Sequence, residues 1–231
     1  MDVVYIYKDT TSSDEFRYSL RSIEKHLKGY NTIWLVGRAP KWVSGLVKVI
    51  SVNDRYYNKQ MNAINKILSA CRNNNVSSDF ILMNDDFFFL EDVHVDEIKT
   101  YTWGEITDEF ISTKRGQYAS ALKRCVKLMG DDNRKNFEVH YPIVINKQKF
   151  RSLLTQIPWS TNVTTYRSIY GNKHCKDTVD LKEDFKVYNY ASFCNRPHKE
   201  FISTSETIFK NTLVQEWFLK TFREKSKFEC D

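Results

Sequence analysis

Two adjacent carboxylates that follow a short apolar run are the strongest chemical signal in this sequence. Residues 80–83 form a continuous apolar run, and Asn84, Asp85 and Asp86 come directly after it. Adjacent acids at the end of a strand can hold Mg²⁺ or Mn²⁺ through hard oxygen ligands, with substrate phosphates completing the shell. The alternative is a turn in which Asn and Asp side chains cap backbone groups. The buried run before the acids and the aromatic run 87–90 after them favour a metal site at Asp85 and Asp86.

Two more residues have side chains suited to acid–base or phosphate chemistry. His140 precedes Tyr141 and Pro142 in an otherwise apolar stretch, and a neutral imidazole there can accept a proton from an acceptor hydroxyl. The alternative is a structural histidine beside a strand. Arg167 follows a Thr-Thr-Tyr segment, and its guanidinium can pair with phosphate oxygens in forked geometry. The alternative is that Arg167 is simply one of the 13 Lys and Arg residues of the segment 112–176, with no role in phosphate binding.

The elements that would position these residues alternate between strand and helix. Residues 3–7, 32–36, 46–52 and 80–83 are rich in β-branched and aromatic residues and predict strands. Between them, residues 16–27 and 59–71 carry apolar side chains at helical spacing, and the first helix has a capping Ser13 and an end at Gly29. This alternation predicts an α/β fold with a mostly parallel central sheet flanked by helices. In such sheets ligands bind beyond the carboxyl ends of the strands, which is where the acidic pair lies.

The pattern is weaker beyond residue 90. Residues 116–129 predict a helix, and 139–145 predict a strand that Pro142 makes an edge or a turn. Residues 158–204 give no clear periodicity, and one helix is predicted to start at Ser205 and to carry Ile208, Leu213, Trp217 and Phe218. Because no repeat or linker interrupts the chain, we expect one domain over 1–231, with a donor-binding half (1–90) and an acceptor-side half (91–231).

Composition excludes several classes of protein. The chain has 231 residues, 41% of them hydrophobic, and a net charge of +6, which argues against a disordered, collagen-like or disulfide-scaffold protein. No apolar run approaches the roughly 18 residues of a membrane helix, so we expect no membrane partner. Five scattered cysteines and the lack of a signal-peptide pattern predict a cytoplasmic protein. No P-loop, dinucleotide-binding or hydrolase-elbow motif occurs.

Positive charge is concentrated in one segment. Residues 112–176 contain 13 Lys and Arg and 3 Asp and Glu, a balance of +10. Such a segment can attract a polyanion or a phosphate-bearing ligand, although a solvated lysine-rich face has the same composition. The candidate acceptor or polyanion contacts in this segment are Lys114, Arg115, Lys123, Arg124, Lys147, Lys149, Arg151, Trp159 and Tyr166.

Several blocks of the sequence resemble the Stealth family of sugar-phosphate transferases, which includes bacterial capsular polysaccharide phosphotransferases and the lysosomal-enzyme GlcNAc-phosphotransferase. Residues 14–25, 36–42 and 82–89 resemble its second conserved block. Residues 2–5 resemble the first block, residues 140–142 and 165–167 the third, and residues 201–228 weakly the fourth. The first block here lacks the usual Trp-Val-Asp-Gly stretch, and the chain is shorter than typical members.

The resemblance implies a GT-A-like, nucleotide-sugar-binding fold. It places Asp85 and Asp86 near a divalent metal (Mg²⁺ or Mn²⁺) and the donor diphosphate, His140 at the acceptor and Arg167 on phosphate. By the same resemblance, Asn84, Arg17 and Arg38 would support donor binding. We therefore predict a catalytic set of His140, Asp86 and Arg167.

The predicted activity is metal-dependent transfer from a nucleotide sugar, most simply a UDP-sugar, to an acceptor hydroxyl. The hydroxyl attacks either the anomeric carbon, which releases UDP, or the β-phosphorus, which releases UMP; both reactions build negative charge on phosphate oxygens. The acceptor hydroxyl belongs either to a hydroxymethylated pyrimidine in DNA, which the basic segment favours, or to a capsular or cell-wall glycan. A different class of function is an inactive module that binds a sugar or a nucleic acid.

Overall fold

The structure, a computed structural model, describes residues 1–8, 14–130, 134–196 and 198–230. The predicted cap Ser13 lies outside the described residues. The strands are β1 (Asp2–Ile6), β2 (Leu27–Lys28), β3 (Ile33–Val36), β4 (Lys48–Ile50), β5 (Asp79–Met83), β6 (Phe87–Phe89), β7 (Val93–His94), β8 (Tyr101–Thr102), β9 (Ile143–Asn146), β10 (Val179–Asp180), β11 (Lys186–Val187) and β12 (Phe201–Thr204). The helices are α1 (Asp14–His26), α2 (Lys59–Arg72), α3 (Asp108–Ser112), α4 (Gly116–Met129), α5 (Lys147–Leu154), α6 (Tyr166–His174), α7 (Tyr190–Cys194), α8 (Glu206–Phe209) and α9 (Thr212–Thr221).

The central sheet has the strand order β4-β3-β1-β5-β9. The first four strands are parallel and β9 is antiparallel to β5, so the predicted mostly parallel α/β fold is confirmed. From β1 the chain adds β3 and β4 on one side and β5 on the other, which reverses the strand order between β1 and β5. The carboxyl ends of two strands at such a reversal form a crevice in which ligands bind.

Both faces of this sheet are covered, which explains why its central strands β1 and β5 are a nearly continuous run of apolar and aromatic residues after their first aspartate. In β5, Phe80 and Leu82 pack into the core that α2 covers, whereas Ile81 and Met83 pack into the core that α1 covers. All four side chains are fully buried. The continuous apolar run therefore ends at the edge of a covered sheet, and the chain leaves the core at Asn84.

A smaller sheet, in the order β11-β12-β6, carries the chain away from the acidic pair. β6 begins at Phe87, directly after Asp86, and pairs antiparallel with β12 so that Phe87 faces Ser203. β11 pairs parallel with β12, and this register sets Lys186 opposite Ser203. Residues some 100 positions apart in the sequence are thereby brought beside Asp86.

The structure agrees with some predicted boundaries and corrects others. α4 has the predicted bounds, and β9 is an edge strand that starts directly after Pro142. The single helix predicted from Ser205 is wrong, because the chain forms α8 and α9 instead. The side chain of Asn211 accepts hydrogen bonds from the backbone N–H groups of Leu213 and Val214 and so starts a new helix. Leu213, predicted on the buried face, is exposed.

Residues 1–90 and residues 91–231 contribute strands to the same sheets. β9, from residues 91–231, completes the central sheet beside β5, and β12 pairs with β6 of the first half.

Within the described residues, no helix is both long enough and apolar enough to cross a bilayer.

Candidate active site

A cavity of about 950 Å³ lies at the carboxyl ends of β1 and β5. Ile6 and Lys8 line it from β1, and Asn84, Asp85 and Asp86 line it from β5. This is the point at which the strand order reverses, so the fold itself places a crevice there. Its volume is at the upper end of the range for small-molecule sites.

Asp86 is held in the cavity by the small sheet. Its Oδ2 accepts hydrogen bonds from Lys186 Nζ at 2.7 Å and Ser203 Oγ at 3.3 Å, because the register of β11, β12 and β6 brings those residues alongside. Its Oδ1 is buried and has no hydrogen-bond partner among the described residues. A buried carboxylate oxygen without a partner is costly, so this atom is suited to a ligand.

Two further carboxyl groups add negative charge beside Asp86. Burial and the nearby Asp86 raise the pKa of Asp85 to about 7. Burial, Asp85 and Asp86 likewise raise the pKa of Glu15, in the first turn of α1, to about 7, although its carboxylate accepts a hydrogen bond from Thr204 Oγ1 at 3.1 Å. Lys186 alone does not neutralise three carboxylates. The cluster therefore favours an added cation or a proton.

His140 forms a second functional cluster with Asp184, which precedes β11. Asp184 accepts the His140 backbone N–H at 2.9 Å through Oδ1 and contacts His140 Nδ1 at 2.5 Å through Oδ2. Burial alone would raise the pKa of Asp184, but the hydrogen bonds from His140 hold it below its usual value. An ionised Asp184 fixes the proton on Nδ1 and leaves Nε2 as the nitrogen that can accept one. This pair lines the same cavity as Asp86.

Arg167 supports the backbone on which His140 sits. Its nearly buried guanidinium donates hydrogen bonds to the carbonyl oxygens of Phe137, at 3.3 Å, and Tyr141. Glu138 accepts the Ser168 backbone N–H and hydroxyl, both at 3.0 Å. Burial raises the pKa of Glu138, and Arg167 opposes that rise. Helix α6 thus holds the segment 137–141 in place, and Arg167 also lines the cavity.

Close packing at Gly171 fixes the distance between α6 and this segment. A Cβ at Gly171 would lie 2.4 Å from the ring of Phe137, closer than real carbon atoms approach. Only glycine lets the helix pack this tightly against Phe137, which belongs to the same segment as His140.

Aromatic side chains surround the outer part of the cavity. Trp103 and Tyr188 line it and remain exposed. Phe110 lines it with Lys114, whose ammonium lies 4.4 Å from the centre of the Phe110 ring. Tyr166 also lines it but is nearly buried. Flat exposed rings at a cavity mouth suit a ligand that has a flat or ring-shaped part.

The cavity brings together residues that are far apart in the sequence. The predicted site residues that line it are Asn84, Asp85, Asp86, Lys114, His140, Tyr166 and Arg167. Those that do not line it are Arg17, Arg38, Arg115, Lys123, Arg124, Lys147, Lys149, Arg151 and Trp159.

Arg17 lies on a different face of α1 from the cavity. Its Nη1 is 3.1 Å from Glu229 Oε2, and its guanidinium lies 4.0 Å from the centre of the Trp42 ring. Arg21 also donates two hydrogen bonds to Glu229. These contacts attach the C-terminal segment to α1, and Arg17 does not line the cavity.

Part of the basic segment is used inside the protein. Arg124 donates two hydrogen bonds to the carbonyl oxygen of Val163, at 2.9 and 2.6 Å. Lys147 donates to the carbonyl oxygens of Asn73 and Val76, at 2.6 and 2.8 Å. These two cations, like Arg167, satisfy backbone groups, whereas Arg115, Lys123 and Lys149 are exposed. Fewer charges than the composition indicates are free for a polyanion.

Among the described residues that line the cavity, sequence reasoning missed seven charged ones: Lys8, Glu15, Lys59, Glu138, Asp184, Lys186 and Glu206. Asp184 and Lys186 lie in the stretch 158–204, where no periodicity marks them, and only the pairing of β11 with β12 brings them to the site. Neither Glu15 nor Glu138 is singled out by residue type or spacing. A signal for Glu138 existed, since a lone acid two residues before His140 interrupts a basic segment.

One protein-family model matches part of the chain. Residues 9–105 match the model of the Stealth protein CR2 family, conserved region 2. The predicted resemblance to Stealth proteins is confirmed over this region. It contains the acidic pair and Glu15, but not His140 or Arg167. No curated protein sequence matches the chain.

The fold of this chain is similar to that of a solved glycosyltransferase structure. The galactosyltransferase LgtC, crystallised with donor and acceptor sugar analogues, aligns with a TM-score of 0.57 over 98% of this chain and 97% of its own. The two sequences are 8% identical, so the likeness concerns the GT-A fold alone. The Stealth match and this fold together support a transferase of the glycosyl or sugar-phosphate class.

Proposed function

We propose that this protein transfers a sugar, or a sugar phosphate, from a nucleotide sugar to an acceptor hydroxyl. The observation that carries the proposal is one cavity that holds an acidic pair, a His–Asp pair and an anchored arginine. Such a cavity offers a place for a diphosphate and a base for a hydroxyl within one crevice. The Stealth match and the GT-A fold agree with a donor of this class.

The residues at the end of β5 fit a divalent cation. Asp85 and Asp86 would hold it, because Asp86 Oδ1 is buried without a hydrogen-bond partner among the described residues, and because burial, together with the nearby Asp86, raises the pKa of Asp85. The described residues contain no group of three or more His, Cys, Asp or Glu arranged to hold a metal. Mg²⁺ can be held by one or two carboxylates together with substrate phosphates. When bound, the cation would neutralise negative charge on the departing phosphate.

His140 is proposed to accept the proton of the acceptor hydroxyl at Nε2. Asp184 orients the ring and stabilises the positive charge that the imidazole gains. The oxygen then bonds either to the anomeric carbon, releasing UDP, or to the β-phosphorus, releasing UMP. Arg167 and Lys186 supply positive charge to phosphate oxygens in either case.

For the acceptor we propose a hydroxymethylated pyrimidine of DNA. Lys8, Lys59 and Lys114 line the cavity and can meet phosphates. The exposed rings of Trp103 and Tyr188 at its mouth suit a base rotated out of the duplex. Capsular or cell-wall glycan with sugar-phosphate transfer is the second candidate, and the Stealth match favours it.

A product assay tests the proposal. The protein is incubated with pooled nucleotide sugars, Mg²⁺ or Mn²⁺, and DNA that contains 5-hydroxymethylcytosine. The nucleosides and the spent donor are then analysed by mass spectrometry, with a known DNA glycosyltransferase as positive control. A nucleoside heavier by one sugar, with UDP released, is the expected result; a gain of sugar plus phosphate, with UMP released, would assign the phosphotransfer reaction on DNA.

Two other outcomes would overturn parts of the proposal. An unchanged nucleoside profile together with transfer to a glycan acceptor would exclude DNA as the substrate. No turnover with any acceptor, together with donor binding that survives Asp85→Asn and Asp86→Asn, would indicate an inactive binding module.

A further inference from the structure

A second cavity, of about 510 Å³, lies on the far part of α2, away from the acidic pair. Arg72 at the end of α2 and Arg151 on α5 line it, together with Trp159 after α5. Leu68 and Leu154 are buried in the core and form its apolar floor. In the part of the chain that the structure describes, no Asp or Glu lines this cavity.

The two arginines carry charge that nothing within the described residues neutralises. Neither Arg72 nor Arg151 forms a hydrogen bond or an ion pair there, in contrast to Arg124 and Arg167. Two unpaired guanidinium groups that face one concave surface attract an anion, and their forked donors match phosphate oxygens.

Trp159 adds a flat surface to this cationic cavity. Its ring packs edge-to-face against Tyr56, with the ring centres 5.5 Å apart, and is partly exposed. A tryptophan face beside arginines is the combination with which proteins bind single-stranded nucleic acid, since each nucleotide presents a ring and a phosphate.

The second cavity lies close enough to the first for one polymer to occupy both. Ala63 lines the first cavity and Leu68 lines the second. Both are on α2, five residues apart, which corresponds to about 7.5 Å along the helix axis. Trp159 and Val163 likewise belong to the second and first cavity, respectively.

We propose that this second cavity binds a nucleotide of the acceptor strand, with the base on Trp159 and its phosphate between Arg72 and Arg151. This subsite rests on the proposed function for its role in transfer, but it makes a separate prediction about binding. It would hold the strand next to the nucleotide whose hydroxyl faces His140.

Fluorescence anisotropy with a short fluorescein-labelled oligo(dT) tests the subsite. The double variant Arg72→Gln/Arg151→Gln should bind more weakly, and the slope of log affinity against log salt should become shallower by about 0.7, because the contact with one phosphate is lost. Trp159→Ala should weaken binding at least about fivefold. The matched control is Lys127→Gln/Lys176→Gln, which removes two exposed charges outside both cavities; it should change the slope less.

Two results would overturn the subsite. One is an affinity and salt slope of the Arg72/Arg151 variant equal to those of the control. The other is an acidic glycan such as hyaluronan that competes more strongly than oligo(dT) and depends on the same arginines, which would make the occupant a glycan. Circular dichroism melting of every variant verifies that a loss is not unfolding.

The product assay on the unmodified protein keeps the two proposals distinguishable. Weakened binding in the variants, together with no transfer to DNA by the unmodified protein, would support the subsite and reject the acceptor. Transfer to DNA with binding that is indifferent to these arginines would reject only the subsite.

Discussion

The two cavities share helix α2, yet their linings differ in charge and in how that charge is used. The first has six carboxylates and five Lys or Arg: Glu15, Asp85, Asp86, Glu138, Asp184 and Glu206 against Lys8, Lys59, Lys114, Arg167 and Lys186. In the second, the described lining has two arginines and no carboxylate. The first therefore places bases and cations in contact, as catalysis requires, whereas the second offers only unpaired positive charge, which is suited to binding.

The crowded carboxylates of the first cavity repel one another, which is electrostatically unfavourable for the folded protein. Burial of Asp85 and Glu15 beside Asp86 destabilises their ionised forms, and a ligand that brings positive charge relieves the repulsion. Arg72 and Arg151 are exposed, so their charges remain hydrated, and an anion in the second cavity would add an attractive contact. We expect the substrates of this protein to stabilise the fold when they bind, since a ligand that binds only the folded state raises its stability.

The largest expected effect is the loss of catalysis in the first cavity. His140→Ala should lower turnover about 10²–10⁴-fold, because the acceptor hydroxyl loses its base. Oligo(dT) binding at the second cavity should change little, since His140 lies outside it. Asp184→Asn is the matched comparison: it keeps the ring but weakens its orientation, so a smaller loss and a shifted pH–rate profile are expected. Normal turnover in His140→Ala would reject the role of this residue.

The second effect concerns a buried ion pair outside both cavities. Glu229 has a side chain closed to solvent, and Arg21 and Arg17 donate hydrogen bonds to it. Glu229→Gln should destabilise the fold by about 3 kcal/mol, because the arginines lose a charged partner. Urea unfolding measures this change, and the specific activity of the folded variant should remain normal. Glu216→Gln, on the exposed surface of α9, is the control.

The same carboxylate has a defined pH dependence. Although burial opposes it, hydrogen bonding from Arg21 lowers the pKa of Glu229 from 4.5 to about 2. A lowered pKa stabilises the folded state fully above the ordinary value of 4.5, and the contribution disappears as the pH falls toward 2. The stability difference between the unmodified protein and Glu229→Gln should therefore shrink over that interval. If the stability difference stayed the same across this pH range, the stabilising effect of Glu229 would come from its packing and not from its charge.

The smallest expected effect is the pH dependence of stability caused by Asp85, which has the opposite sign to that of Glu229. The pKa of Asp85 is raised from 3.8 to about 7, so the folded protein retains a proton that the unfolded chain has released, and stability falls as the pH rises through this interval. In the presence of a chelator, Asp85→Asn should be more stable than the unmodified protein above about pH 7 by about 1 kcal/mol or more. Near pH 4 the difference should vanish. Thermal melting across this range measures it, and a variant that is less stable at high pH would contradict the assignment.

Local sequence signals account for the elements that build the first cavity. The apolar run 80–83 predicts a strand covered on both faces, and α4 has the predicted bounds because its periodicity and Gly130 define it. His140 and Arg167 were recognised by residue type and by resemblance. Such signals work because strand and helix periodicity, glycine and proline act over a few residues.

The sequence by itself determined a mostly parallel α/β fold, the acidic pair at the end of a buried strand and a basic middle segment. Only the tertiary structure decided that Asp184 serves His140, that Lys186 pairs with Asp86, and that Arg124 and Lys147 satisfy backbone carbonyls. It also separated Trp159 from the cavity of His140. The physical reason is that these contacts arise from pairing between segments far apart in the chain, such as β11 with β12 and β12 with β6. No short-range pattern encodes such a register.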